Sequence, residues 1–391
     1  MSGPTVEVAD IVRKHGDRFC EQNRTWLSFQ QLKVLRAIKR CRTAALGGHV
    51  DRCSGCGHSA ISFNSCRNRH CPKCQAQARQ RWLALREQEL LGLSYFHVVF
   101  TLPHELNRLC QRNPAPLYNL LFQAAAETLL EVAADPKHLG AEIGFLAILH
   151  TWGQNLLLHP HLHCLVPAGG LSPDHTQWVQ PKYNFLLPLD VLKPVFRGKF
   201  VDGLKRAYRR KKLDLGGATK FLQEPKAFAA LLQTLHRKEW VVYAKHALGG
   251  PTPVLRYLGR YTHRVAISNH RLTAFDGEKV TFRWKDYARG NKQRLMTLHA
   301  SEFLRRYVQH VLPLGFVRIR QFGFLANRLR SQSLTLIRRL LLIETTSTES
   351  PLAASSATTT WKCPRCGGLM QILSRLTNFD LAFRNPIFDT S

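Results

Sequence analysis

The segment His159-Pro-His161-Leu-His163 has a spacing that could bind a metal ion. In a β-strand, residues two apart point to the same face, so His161 and His163 would present two imidazoles side by side. Leu162, between them, would then point into the core. Neutral imidazole nitrogens are common metal ligands, and the segment therefore predicts a divalent-metal site on a strand.

A metal that acts on phosphate must keep coordination positions open for substrate oxygens, so two or three protein ligands suit Mg²⁺ or Mn²⁺. The third ligand should come from a neighbouring strand, where His150, Gln154 and Asn155 are candidates that spacing does not separate. The alternative is that the histidines are hydrogen-bonded core residues. Two imidazoles on one face are costly to bury unless both are satisfied, which favours the metal.

The segment Tyr257-Leu-Gly-Arg-Tyr261 could supply a nucleophile. In a helix, residues four apart share a face, so the two phenols would lie one turn apart. A phenol with its usual pKa of about 10 attacks poorly unless a metal polarises the phosphate and cations favour the phenolate. Such cations are present at Arg256, Arg260 and Arg264. Ordinary aromatic packing is the alternative, and the presence of the histidine strand in the same chain weighs against it.

Four cysteines in two pairs, Cys53-x-x-Cys56 and Cys71-x-x-Cys74, have the spacing of a zinc ribbon. Four thiolates close a tetrahedral site around Zn²⁺ and leave no open position, so this zinc would be structural. The sequence predicts one zinc module built from these four residues.

Two further potential ligands, Cys66 and His70, lie between these pairs and are interpreted as free. Either could instead replace a thiolate, or help to hold a second ion with His58 or His49. Cations in the same segment are predicted to contact DNA phosphates, namely Arg67, Arg69 and Lys73.

Near the C-terminus, Cys363 and Cys366 look like half of a zinc ribbon. No Cys or His follows them to complete a site, so they would need ligands from elsewhere in the chain. The pair could take such ligands or be a remnant, and no metal is predicted there.

The net charge of this 391-residue chain is +30, from 56 Lys and Arg against 26 Asp and Glu. A field of that sign attracts polyanions, which indicates a nucleic-acid partner. The N-terminus lacks the apolar segment of a signal peptide, and no apolar run is long enough to span a membrane. We therefore expect a cytoplasmic, nucleoid-associated protein whose 11 cysteines are reduced and available for metal.

The elements that must position these residues follow from hydrophobic periodicity, which predicts an α+β fold. Strands are predicted at Tyr95–Leu102, Gly144–Thr151, Leu156–Val166 and Trp240–Leu248, and helices at 115–134 and 188–213. Predicted domains are a helical zinc-binding region at 1–93, a nuclease core at 94–290, a basic helical region at 291–344, a Ser/Thr-rich linker at 345–360 and a short tail at 361–391.

The chain resembles the HUH endonucleases, and more closely the two-tyrosine transposases of the insertion sequence 91 family. The matching segments are SCRNRHCPKCQ, HTWGQNLLLHPHLHCLVPAGG and YLGRYTHRVAIS, within a similarity over roughly residues 15–330. The resemblance implies His161 and His163 as ligands with His150 as the third, and Tyr257 and Tyr261 as nucleophiles. It also implies a central antiparallel sheet with flanking helices, single-stranded DNA as substrate and rolling-circle-like transposition.

Two other functions are compatible with the same residues. One is a non-catalytic, zinc-dependent DNA-binding protein, which would explain the charge and the cysteines but not the pairing of histidines with tyrosines. The other is a replication initiator or relaxase, which shares the chemistry. The sequence leaves the oligomeric state open, and a homo-oligomer is compatible with it.

Overall fold

The structure is a computed structural model that describes residues 6–182, 186–247, 259, 266–286, 290–342 and 361–383. Its helices are α1 (Val8–Gln22), α2 (Phe29–Arg40), α3 (Pro72–Glu87), α4 (Asn107–Arg112), α5 (Pro114–Ala134), α6 (Leu189–Arg209), α7 (Pro225–Arg237), α8 (Ala300–Val308), α9 (Arg330–Leu340) and α10 (Asn378–Phe383).

The strands of the described residues form four sheets. They are β1 (Gly48–Cys53), β2 (Ser59–Phe63), β3 (Tyr95–Thr101), β4 (Gly144–Trp152), β5 (Leu158–Pro167), β6 (Gly170–Leu171), β7 (Trp178–Val179), β8 (Val242–Ala247), β9 (Leu272–Phe275), β10 (Lys279–Asp286), β11 (Lys292–His299), β12 (Ile319–Gly323) and β13 (Met370–Leu376).

The central sheet has five antiparallel strands in the order β12-β4-β5-β3-β8. The histidine strand β5 lies in the middle, between β4 and β3. Flanking helices cover the sheet, which confirms the predicted α+β class with a central antiparallel sheet.

The two faces of the central sheet have different cover. Alternate residues of β5, Leu162, Cys164 and Val166, point into the main core, where side chains of α5, α6 and α7 pack against the sheet. The opposite face carries His161 and His163 and is partly covered by α3. This alternation is the strand geometry that the sequence predicted.

A second core joins segments that are far apart in the sequence. Helices α1 and α2 pack with the three-stranded sheet β11-β10-β9 and with α8. Between the two helices the chain turns at Ser28, where the Ser28 and Gln31 side chains and N–H groups form a capping box. The N-terminal helices therefore share one core with residues 266–311, across the predicted boundaries at 93 and 290.

The region beyond residue 291, predicted to be helical, contains α8 and α9 and also two strands. Strand β11 pairs with β10 along its whole length, and β12 forms the edge of the central sheet beside β4. These pairings are long-range, so the local periodicity of this basic region did not reveal them.

Strands β1 and β2 lie on either side of the turn that contains Cys56. They form a sheet with β13, in the order β13-β1-β2, so the C-terminal tail returns to the N-terminal region. Among the described residues, no helix is both long and apolar enough to cross a membrane.

Candidate metal centres and their supports

Three histidines lie together on the face of the central sheet that α3 partly covers. Strand register pairs His150 of β4 with His161 of β5, and His163 is two residues further along β5. One ligand nitrogen from each of the three lies within 4.8 Å of the others. The structure thus brings together the predicted pair and one of the three candidates for a third ligand.

The two nitrogens at the centre of this site fit a shared cation. His161 Nε2 and His163 Nε2 are 3.1 Å apart. Two neighbouring ligands of an octahedral ion with bonds of about 2.1 Å would be about 3.0 Å apart. His161 Nδ1 lies 2.6 Å from the His159 carbonyl oxygen, to which it can only donate, so its Nε2 carries the free lone pair.

His163 is oriented by a histidine from the neighbouring strand. His163 Nδ1 lies 2.8 Å from His97 Nε2, and the two rings stack with centroids 5.1 Å apart. When His163 Nδ1 donates to His97, the Nε2 lone pairs of His163 and His161 face each other, an arrangement that a cation between them would stabilise. The sequence did not indicate this contact of His97 with the histidine group; its signal was a lone histidine inside a mostly apolar strand.

Burial keeps these rings neutral. It lowers the pKa of His161 to about 3 and the pKa of His163 well below its usual range, with neighbouring histidines adding to both shifts. Burial and then Lys245 lower the pKa of His97 to about 4. Neutral imidazoles are the form that binds metal, so the site needs no deprotonation at neutral pH.

Aromatic packing holds the third histidine in place. The indole of Trp152 stacks on His150 with centroids 4.5 Å apart and an interplanar angle of 20°. Of the other two candidates, Asn155 uses its Oδ1 to accept the Leu157 N–H at 3.1 Å, and the backbone carbonyl of Gln154 accepts from Arg271.

Of the tyrosine segment, residues 257–261, the structure describes Gly259 alone. Tyr257 and Tyr261, and the predicted DNA-contacting residues Arg256, Arg260 and Arg264, lie outside the described residues. Gly259, between the tyrosines in sequence, is helical and buried. A Cβ atom on Gly259 would lie 2.9 Å from Leu83 Cδ1 on α3, and Leu83 packs on the apolar part of the histidine face.

The prediction of one zinc module from Cys53, Cys56, Cys71 and Cys74 is wrong, because the structure separates its two pairs. Each pair joins two other cysteines, giving two groups of four. The local spacing of each C-x-x-C was informative, but the partner of each pair was decided by long-range packing.

The first group consists of Cys41, Cys66, Cys71 and Cys74. Cys74 Sγ is 3.5 Å from both Cys41 Sγ and Cys66 Sγ, and Cys71 Sγ is 3.7 Å from Cys41 Sγ. Tetrahedral thiolates bound to Zn²⁺ at about 2.3 Å would be about 3.8 Å apart. All four are free thiols and so are available as ligands.

Two interpretations of this segment are revised by the first group. Cys66, interpreted as free, belongs to the group, and Cys41, at the end of α2, completes it. His70 lies outside it: its Nε2 accepts the Leu312 N–H at 3.1 Å, and its carbonyl accepts from Tyr307. Burial lowers the pKa of His70 to about 3. Through these two hydrogen bonds, His70 connects the cysteine segment to Tyr307 in α8 and to Leu312 just after that helix.

The second group consists of Cys53, Cys56, Cys363 and Cys366. The tail pair, for which no metal was predicted, therefore meets the pair Cys53 and Cys56 at the end of β1, so the alternative of ligands from elsewhere in the chain is the one the structure favours. The N–H groups of Cys56 and Gly55 are the main cause that lowers the pKa of Cys53 to about 6.

The predicted DNA contacts near the first group have different surroundings. Arg67 is exposed, whereas Arg69 donates to the carbonyls of Phe316 and Pro313 at 2.6 and 2.8 Å. Lys73 pairs with Glu7 at 2.7 Å. DNA binding by these three residues stays a prediction.

Two family matches coincide with these sites. The family described as "Transposase zinc-binding domain" matches residues 11–102, and the family described as "Putative transposase" matches residues 144–333. The first range contains the whole first cysteine group, and the second contains all three histidines and the tyrosine segment.

Relatives extend the match over most of the chain. It is 55% identical over 340 residues to "Putative transposase y4qJ" of Sinorhizobium fredii, covering 87% of this chain and 85% of that protein. It is 29% identical over 327 residues to "Transposase for insertion sequence element IS801" of Pseudomonas savastanoi pv. phaseolicola, covering 81% of this chain and 75% of that protein. No solved structure matches the chain significantly.

A zinc-binding region joined to a transposase core defines the protein as a transposase, an enzyme that cuts and joins DNA. The chain belongs to the insertion sequence 91 family of transposases, which confirms the resemblance drawn from its sequence.

Proposed function

We propose that this transposase nicks and religates single-stranded DNA at the ends of its element through a 5′-phosphotyrosine intermediate, in rolling-circle-like transposition. The observation that carries the proposal is the group of His150, His161 and His163, with two Nε2 atoms 3.1 Å apart on the sheet face that α3 partly covers. His161 is half-buried and His159 beside it is exposed, so a DNA strand can reach the site.

The three histidines would hold Mg²⁺ or Mn²⁺. When bound, the ion would polarise a phosphodiester oxygen and stabilise the charge that develops on it. His97 and the His159 carbonyl fix the two ligand rings on β5 through their Nδ1 atoms. Three histidine ligands would leave coordination positions on the ion for phosphate oxygens.

The nucleophile in this proposal is the phenol oxygen of Tyr257 or Tyr261. It forms a bond to phosphorus while the P–O3′ bond breaks, so the DNA gains a free 3′-OH and the tyrosine carries the 5′-phosphate. The reverse attack by a 3′-OH rejoins the strand without another energy source, because the phosphotyrosine bond conserves the energy of the phosphodiester. The contact of Gly259 with Leu83 supports this role, since Leu83 packs on the histidine face.

The first cysteine group would bind one structural Zn²⁺. Cys71 is the N-cap of α3, and further along the same helix Trp82 and Leu83 pack against Leu146, Ile148 and Leu165. The zinc would thus hold the start of the helix whose later turns cover part of the histidine face. We expect its removal by a chelator to destabilise α3.

The test is a denaturing gel of end-labelled single-stranded oligonucleotides from the element ends, with Mg²⁺ or Mn²⁺. We expect a protease-sensitive protein–DNA adduct that is lost in the Tyr257→Phe/Tyr261→Phe double variant. Tyr208→Phe is the matched control, because Tyr208 stacks on Phe228 at 3.7 Å, away from the histidine face.

Other outcomes separate the alternatives. An adduct that persists in the double variant and disappears in Tyr243→Phe would assign the attack to Tyr243, which is half exposed and lies on the histidine face of β8. Tight DNA binding without an adduct under either metal would contradict the mechanism and favour a binding protein. Retained cleavage in His161→Ala/His163→Ala would contradict the metal site. Because a replication initiator would also join strands, movement of a marked element to a second DNA molecule in cells would distinguish transposition from replication initiation.

A further inference from the structure

Two loops of the same form, one from each end of the chain, face each other in the second cysteine group. Cys53-Ser-Gly-Cys56-Gly57 and Cys363-Pro-Arg-Cys366-Gly367 share the pattern C-x-x-C-G. Gly57 and Gly367 both adopt positive φ, 70° and 75°, and the N–H of each bonds to the carbonyl of the first cysteine of its loop. This is a conformation that glycine adopts without strain.

Backbone N–H groups in both loops point at sulfur. Gly55 N–H and Arg365 N–H each lie 3.4 Å from the first cysteine Sγ of their own loop, and Gly368 N–H lies 3.4 Å from Cys366 Sγ. Donors aimed at sulfur stabilise the thiolate form, which is the form that binds metal.

The distances between the loops fit a tetrahedral metal site. Cys53 Sγ is 3.4 Å from Cys366 Sγ, and Cys56 Sγ is 3.7 Å from Cys363 Sγ. A disulfide would require about 2.05 Å, whereas thiolates around Zn²⁺ would be about 3.8 Å apart. All four cysteines are free.

The tail has little apolar burial to hold it in place. Strand β13 contributes one buried residue, Met370, while Ile372 and Leu373 are 55% and 64% exposed. The cluster around the loops contains Cys53, Cys363 and Met370, with Ala60 packed against them. A core of that size does not stabilise a small module alone, and a structural metal is a usual substitute.

We propose that Cys53, Cys56, Cys363 and Cys366 bind a second structural zinc ion, which fastens the C-terminal segment 361–383 to the N-terminal module. The two halves of the site are separated by 307 or more residues in sequence. Both family matches end before Cys363, so neither assigns this role to the tail. The metal holds β13 against β1, whose edge the tail covers.

The proposal does not depend on the DNA-cleavage mechanism, and metal content tests it directly. The full-length protein should contain two zinc ions per chain, and Cys363→Ser/Cys366→Ser should contain one. The matched control is Cys20→Ser, because Cys20 lies outside both groups and should leave two ions. Two ions in the double variant, or one in the full-length protein, would overturn the proposal.

A second experiment measures whether the C-terminal fragment stays bound to the rest of the protein. It does not depend on whether the cysteine variant folds. A specific protease site is inserted within residues 345–360 of the full-length protein, and the protein is cut after zinc loading. We expect fragment 361–391 to stay bound through gel filtration and to be released when a chelator is added. Release before chelation, or retention after complete loss of zinc, would contradict the proposal. Substitution with Co²⁺ should show thiolate-to-metal absorption from two four-sulfur sites, and absorption from one site would also contradict it.

Discussion

The support of the histidine site by His97 leads to a quantitative prediction. In His97→Phe, a ring can still stack on His163, where the wild-type centroids are 5.1 Å apart, but the nitrogen 2.8 Å from His163 Nδ1 is lost. His163 then keeps its place while its Nδ1–H loses this acceptor. The change therefore isolates a hydrogen bond from the packing around it.

The size of the effect follows from the kind of bond. A neutral hydrogen bond contributes about 1 kcal/mol net, and bonds to charged groups contribute about twice that. A bound cation makes His163 Nδ1–H a stronger donor. The free energy of metal binding that His97→Phe loses should therefore lie between these two values. This corresponds to roughly 5- to 30-fold weaker metal affinity, within the 10- to 100-fold range typical of such supports.

The assay is Mn²⁺ binding by electron paramagnetic resonance, together with adduct formation at increasing Mn²⁺. We expect His97→Phe to weaken binding about tenfold and to regain wild-type adduct yield at saturating Mn²⁺, since it acts through His163. The control is His159→Gln, because the backbone carbonyl of His159 accepts the His161 bond and survives the change. Unchanged affinity in His97→Phe, or an equal loss in His159→Gln, would refute the reasoning.

Two predictions concern stability. Burial lowers the pKa of His310 to about 4 from 6.5, so the unfolded chain takes up the proton first as pH falls; the stabilisation is complete above pH 6.5 and is lost between 6.5 and 4. Between pH 7 and pH 5, the free energy of unfolding measured in urea should fall by about 2 kcal/mol less for His310→Gln than for the wild type. The control is His270→Gln, at an exposed position, which should behave as the wild type. The same dependence of the unfolding free energy on pH in all three proteins would contradict this prediction. Gly323→Ala should lower the unfolding free energy by about 2 kcal/mol or more, because Gly323 has a φ of +60° and an added Cβ would overlap the Ile143 carbonyl; an unchanged urea midpoint would count against the register of β12.

The sequence was most informative where the relevant geometry is local. Strand alternation alone predicts that His161 and His163 share a face, and the register of β5 bears this geometry out. The strands at 95–102, 144–151 and 156–166 were likewise located within a few residues of their bounds, because buried β-branched and aromatic runs have a clear periodicity.

The third member of the histidine group needed a neighbouring strand. Spacing left His150, Gln154 and Asn155 equivalent, and the pairing of His150 with His161 separates them. His97 could not be found from spacing at all, since its position depends on the register of β3 against β5. Antiparallel register is a property of the assembled sheet, and one residue of slip would turn His97 to the opposite face.

The cysteines mark the boundary between sequence and tertiary structure most clearly. Each C-x-x-C is a local signal of metal binding, and the amino-acid sequence by itself determined that these pairs, the basic charge and the family segments belong to a DNA-handling protein. Only the tertiary structure decided which pairs lie together. Cys74 contacts Cys41, 33 residues away in sequence, and Cys53 contacts Cys366, 313 residues away. Contacts between such distant cysteines depend on how the helices and strands pack and on where the C-terminal tail lies. The spacing of cysteines within one segment does not specify these contacts.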